Sequence, residues 1–172
     1  MKIFRWLDEN IEKVLILGSY VVMTGIIFVE VIRRFAFGQQ AAWSTTIPIY
    51  LFLWVTWIGC AYCCKSRGHL RFEEFRMRLP YKGQFFCMMV DHLLWIGFAV
   101  LVIYYSYDVV YLSYDNFSIV QGTDDVMQWW FYMATPVGFG MVIYRVLQNM
   151  FEDIGRFNRG EPMPINANQA SE

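Results

Sequence analysis

Glu30, Arg33 and Arg34 stand together at the far end of the first apolar run, and they are the first residues to which chemistry could be assigned. A carboxylate within a membrane helix is costly and tends to be functional. Glu30 is therefore where a small stand-alone ion-coupled carrier would keep its titrating group. The simpler alternative is local, because Glu30 and Arg34 have the spacing of a helical ion pair and Glu30 is remote from the middle of its run. Cys60, Cys63, Cys64 and Cys87 raise a second chemistry, thiol oxidation. A membrane thiol oxidoreductase needs its cysteines on the oxidising side, whereas these map to the cytoplasmic half and read as small apolar fillers. His69 falls in a loop and His92 near a helix end, an arrangement ill suited to sharing one haem. No catalytic residue, cofactor or metal site is expected, and the chain does not read as an enzyme.

The elements that would position these residues are long and apolar. Of the 172 residues, 57% are apolar and 19% aromatic; a soluble domain averages about 45–50% apolar, counting Gly and omitting Tyr. Four runs stand out, at about 14–32, 43–64, 86–112 and 126–150. Each reaches the roughly 20 residues that a helix needs to cross the hydrocarbon of a bilayer. Helices are expected because lipid leaves exposed backbone groups unsatisfied. The predicted fold is an all-α integral membrane protein of four transmembrane helices. The first run follows a mixed-charge segment and lacks an Ala-x-Ala cleavage site, so no cleaved signal peptide is expected. The balance of 14 basic and 15 acidic residues gives no sign of nucleic-acid binding.

The distribution of charge sets an orientation. Twelve of the 14 basic residues fall at the N-terminus, between the second and third runs, or at the C-terminal end from Arg145 on. Only Arg33 and Arg34 fall on the other side, so both termini are predicted to be cytoplasmic in a bacterial inner membrane. Residues 1–13 form an amphipathic arm: Ile3, Phe4, Leu7 and Ile11 share one helical face, and Arg5, Asp8, Glu9, Glu12 and Lys13 take the other. Such a helix would lie flat in the headgroup region before the chain turns into the membrane. A second interfacial helix over 69–79, ended by Pro80, is expected between runs two and three. Residues 14–150 make up the transmembrane domain and 151–172 a cytoplasmic tail. Lys65, Arg67 and His69 are candidates for lipid headgroup or loop contacts, and Thr123 or Asp124 for capping the fourth helix.

Packing residues say more than polar ones. Gly18, Val22, Gly25 and Val29 form a stripe on the first helix, and small residues let another helix approach closely in lipid. Trp54 and Trp57 lie well inside the second run, while Tyr104, Tyr105, Tyr107, Tyr111, Tyr114, Trp129 and Trp130 gather where an interfacial belt is expected. No charge occupies the middle of the second or fourth run, and no internal repeat of the kind that builds carriers is present. A chain that spans the bilayer without a polar path of its own argues against an independent carrier.

Two stretches go further. Arg34-Phe35-Ala36-Phe37-Gly38 is followed by Trp43, and Leu53-Trp54-Val55-Thr56-Trp57-Ile58-Gly59-Cys60-Ala61 is followed by Arg67-Gly68-His69-Leu70. With the four-run pattern they resemble the small, DctQ-type membrane subunit of tripartite ATP-independent periplasmic (TRAP) transporters, over nearly the whole chain from Val14 to Met150. Within that family the sequence is most similar to the small subunits of sialic-acid transporters. It departs where many members place acidic residues and then an Arg after the Trp: here stand Thr45, Thr46 and Ile49, with Pro48 between them. The resemblance implies a non-catalytic scaffold subunit. It would pack beside a large membrane (M) subunit that carries substrate and sodium, and a periplasmic binding protein would dock on the outer face. Gly18, Gly25, Arg34, Trp43, Trp54, Trp57 and Gly59 are then the candidate subunit interface.

Overall fold

The computed structural model describes residues 2–68, 76, 78–162 and 164, and for residues 2–9 the backbone alone. The described residues are almost entirely helical: α1 (Lys2–Phe37), α2 (Trp43–Lys65), α3 (Tyr81–Asp115), the single turn α4 (Trp129–Tyr132) and α5 (Ala134–Arg159). The second interfacial helix expected over 69–79 lies largely outside the described residues, as do His69 and the end of the tail. Among the described residues three stretches are long and apolar enough to cross a membrane: Asn10–Phe37 of α1, α2 and α3.

α1 is 36 residues long, or about 54 Å at 1.5 Å per residue. It therefore exceeds the hydrocarbon thickness, and the arm and the first span form one uninterrupted helix. α2 begins at Trp43 and ends at Lys65, close to the range its composition suggests. Its end is closed by a reversal in which Gly68 N–H donates to Cys63 O at 3.0 Å and Arg67 N–H to Cys64 O at 3.2 Å. The fourth apolar run is not one helix. Its beginning forms a small hairpin with Ile119 opposite Met127, in which Val120 N–H donates to Val126 O at 2.8 Å. Thr123 Oγ1 donates to Val120 O at 2.7 Å inside this hairpin, and no side chain caps α4 or α5. Pro136 explains the interruption at Met133: it has no N–H to offer the carbonyl of Tyr132. α5 then runs on through Arg159, where Gly160 caps it in the left-handed conformation at φ 70°.

The helices pack as an open row in the order α1, α2, α5, α3. Among the described residues α1 makes close backbone contact with α2 alone. The core follows the contacts of α5: Ala61 and Cys64 of α2, Ala99 of α3, and Phe139, Val142 and Val146 of α5 are buried together. Gly138 makes this packing possible, since a Cβ there would stand 2.5 Å from Trp57 Cβ. Gly122 does the same at the hairpin tip, where it adopts φ 83° and a Cβ would stand 2.4 Å from the Ala42 carbonyl carbon. At the other end Phe157 of α5 lies between Tyr81 and Phe85 of α3, at ring separations of 5.5 and 4.1 Å.

Candidate functional site

The buried charged residues of the bundle gather at the end where α2 and α5 finish. Arg145, Asn149 and Asp153 are spaced by four along α5, continuing the buried face that begins with Gly138 and Val142. Arg145 reaches Glu12 of α1 at 2.5 Å, and Lys65 stands 3.6 Å from the same carboxylate. Glu12 is fully buried, so this member of the charged arc faces the bundle and not water, while Lys13 beside it is exposed. Asn149 Nδ2 donates to Cys64 O at 2.8 Å, satisfying one of the carbonyls that a helix end leaves open. Asp153 is also fully buried and takes two partners. His92 Nε2 lies 2.8 Å from its Oδ2, and Arg67 Nη2 lies 2.8 Å from its Oδ1. Burial pushes the Asp153 carboxyl up, but the bonds from His92 and Arg67, with their charges, outweigh it and hold the group below the usual carboxylate range. Arg76 pairs with Asp91 on α3.

This cluster corrects one expectation. Of the two contacts expected for Arg67, lipid headgroup or loop, the headgroup does not fit: Arg67 is 4% exposed and binds Asp153 and, at 3.3 Å, Glu152. It holds φ 54° to do so, a left-handed conformation that favours Gly and costs a non-glycine residue about 1–2 kcal/mol. His92, near the start of α3, is buried within the chain. The one local sign of the cluster in the sequence is the four-residue spacing of Arg145, Asn149 and Asp153. Chemically the cluster can tie helices together; its charges are matched and enclosed.

At the opposite end, Glu30 Oε1 accepts a hydrogen bond from Ala41 N–H at 2.7 Å, and Oε2 lies 3.5 Å from Arg33. The ion pair is thus with Arg33 and not with Arg34, because the carboxylate leans toward the loop that starts α2. Arg34 and Glu30 line a cleft between α1 and α2. Among the described residues no group of three or more His, Cys, Asp or Glu could hold a metal. All four cysteines are free thiols. Cys60 and Cys63 have the Cys-x-x-Cys spacing, but both sit inside the continuous helix α2, and Cys63 is exposed on its surface.

The candidate interface residues divide. A Cβ at Gly18, Gly25 or Gly59 would meet nothing within 4 Å, and Arg34 and Trp43 are exposed. Their sides of α1 and α2 are open. Trp57 instead packs internally, 4.9 Å from the Phe139 ring, and Trp54 is half-buried. In the arm, Ile11 is exposed, while Ile3, Phe4 and Leu7 lie on the helical backbone with side chains outside the described ones. The aromatic gathering is partly stacked: Tyr107 with Tyr111 at 6.3 Å and Trp129 with Trp130 at 4.3 Å. Tyr104, Tyr105, Tyr111 and Trp130 are exposed.

Comparison with known proteins covers most of these elements. Residues 23–156 match the model of the family described as tripartite ATP-independent periplasmic transporters, DctQ component. The chain is 23% identical to the isethionate TRAP transporter permease protein DctMQ of Oleidesulfovibrio alaskensis, over 86% of this chain and 24% of that protein, so it spans about a quarter of that relative's length. It is 22% identical to the sialic acid TRAP transporter small permease protein SiaQ of Vibrio cholerae, over 88% of this chain and 86% of the relative. To the C4-dicarboxylate TRAP transporter small permease protein DctQ of Pseudomonas aeruginosa it is 28% identical, over 63% of this chain and 52% of the relative.

Proposed function

The chain belongs to the DctQ component family of tripartite ATP-independent periplasmic transporters, and from that premise we propose that it is a non-catalytic scaffold subunit of a sodium-coupled importer of an organic acid. It is a multi-pass inner-membrane protein and a transporter component, not an enzyme. In the proposed arrangement four helices span the bilayer, with α4 and α5 together as the fourth, and both termini are cytoplasmic. Residues 1–13 then continue the first span out of the bilayer on the cytoplasmic side, where Lys65 and His69 can meet phospholipid. A large membrane subunit carries substrate and sodium, and a periplasmic binding protein delivers the substrate to the outer face. The relatives' names point to isethionate, sialic acid and C4-dicarboxylates, all organic acids; sialic acid is the substrate proposed here.

One observation carries this reading. In its most apolar 18-residue window, α1 buries none of its residues within the chain. A helix apolar on all sides and unburied is a membrane span, and its glycine stripe offers a second helix a close approach. Among the described residues the buried charged groups sit at one end and pair with one another there, and none of them stands in the middle of the bundle. A stand-alone carrier would need Glu30 free to exchange its charge, whereas that carboxylate holds Ala41 N–H and Arg33.

The test is reconstitution. Proteoliposomes holding this chain with its large subunit, supplied with the binding protein, should take up sialic acid when a sodium gradient is imposed. Proteoliposomes holding this chain alone should take up none. Uptake by the chain alone would overturn the scaffold reading; uptake of a different organic acid by the full system would correct only the substrate.

A further inference from the structure

A cleft of about 300 Å3 lies between α1 and α2 near the turn that joins them. On both helices its walls change character in the same direction. Deeper along the helices stand Ile27 and Val31 of α1 and Pro48 and Ile49 of α2; toward the loop stand Arg34, Gln40 and Thr45. From Ile27 to Arg34 is two turns of helix, about 10 Å. The apolar part therefore lies where a lipid tail would run, and the polar part lies where the apolar sequence of α1 gives way to Arg33 and Arg34, at the boundary with water.

The charge of the polar part is defined by its hydrogen bonds. Glu30 is occupied by Ala41 N–H and Arg33. The Gln40 amide donates to Thr45 Oγ1 at 3.4 Å. The Arg34 guanidinium is exposed and makes no ion pair or hydrogen bond among the described residues, so the rim presents one unmatched cation. A guanidinium holds phosphate oxygens through paired N–H donors.

We propose that this cleft is a phospholipid site, with an acyl chain between Ile27, Val31, Pro48 and Ile49 and the phosphate on Arg34. An apolar trough below a single free cation at the membrane boundary complements a phospholipid in both shape and charge order. The proposal rests on α1 and α2 spanning the membrane, and it goes beyond the scaffold role.

Native mass spectrometry of the full chain, purified in detergent and delipidated, tests it with phosphatidylglycerol and phosphatidylethanolamine as probes. The wild type should bind one added phospholipid. Arg34→Gln should weaken binding about tenfold or more, the loss expected for one charged hydrogen-bonding partner, and Arg34→Lys should weaken it less. Ile49→Trp should block it by filling the trough. Both positions are exposed, so circular dichroism should show these variants folded. Equal lipid retention by Arg34→Gln would overturn the proposal. So would displacement of the lipid by millimolar inorganic phosphate, which would mark a free-anion site. A third overturning result is that Arg34→Gln keeps its lipid but no longer co-purifies with the large subunit, which would make Arg34 a protein contact. Failure of the wild type itself to co-purify would count against the scaffold reading and leave the lipid result standing.

Discussion

α1 and α5 invert the relation between polarity and burial found in a soluble protein. α1 is apolar for most of its length and its span is unburied. α5 is the more polar helix, yet Ala134, Gly138, Phe139, Val142, Arg145, Val146, Asn149 and Asp153 are all buried in the chain. The difference follows from the solvent. Lipid gives apolar side chains no reason to hide, so burial inside such a chain goes to residues that lipid tolerates badly or that allow close backbone approach. α5 holds the row of helices together; α1 is joined to it by α2 and by one buried ion pair, Glu12 to Arg145.

The largest effect that would break this contrast is expected at Asp153. Asp153→Ala leaves Arg67 and His92 buried without their shared carboxylate, and removing one partner of a buried pair costs about 3–5 kcal/mol. The expected outcome is a large fall in the thermal midpoint of the purified chain in detergent, or loss of monodisperse protein. Acid should act on the same group. A carboxyl held below its ordinary range takes up a proton less readily folded than unfolded, so its contribution is complete above the ordinary carboxylate range. It is lost as the pH falls through that range toward the group's lowered folded value. Thermal midpoints measured across acidic pH should therefore fall for the wild type and fall less steeply for Asp153→Asn. Parallel curves would show that another group governs the acid response.

A smaller effect is expected where α5 meets α2. Gly138→Leu forces a side chain into a site where even a Cβ would stand 2.5 Å from Trp57. Overpacking of this kind costs about 1–3 kcal/mol. Thermal unfolding should show that loss, and Trp57→Ala should relieve part of it in the double variant. Additive losses from the two changes would mean that the contact does not set the spacing of the helices.

Much of the architecture was legible because lipid spanning leaves a long, local signature. The ends of α2 at Trp43 and Lys65 follow directly from composition, and the motifs around Arg34, Trp43, Trp54 and Gly59 point to the family. The polar cluster was not legible, and the reason is physical. Arg67 and Asp153 are 86 residues apart, and nothing near either one announces the other. Arg145 and Arg67 read as markers of the cytoplasmic side, since a basic residue at a helix end looks the same whether it faces headgroups or a buried carboxylate. Glu12 shows the same ambiguity from the acidic side. The break before α5 was within reach, because Pro136 stands three residues after Met133 and cannot supply the bond that would continue the helix.

The smallest effect on the chain alone, and the sharpest test of the contrast, is expected at Gly25. A Cβ there meets nothing within 4 Å, so Gly25→Leu introduces no clash, and in a helix interior Leu is favoured over Gly by somewhat under 1 kcal/mol. The isolated variant should unfold at or slightly above the wild-type temperature. In the assembled transporter the same change sets a large side chain in the stripe where another helix would approach, and co-purification with the large subunit should fall. Gly138→Leu should do the reverse, weakening the chain before it reaches a partner. If Gly25→Leu leaves assembly and uptake intact, the glycine face of α1 meets lipid, and the large subunit must be sought on the open side of α2 around Gly59 or on the outer face of α3. Leu93, Leu94 and Leu101 are each more than half exposed there.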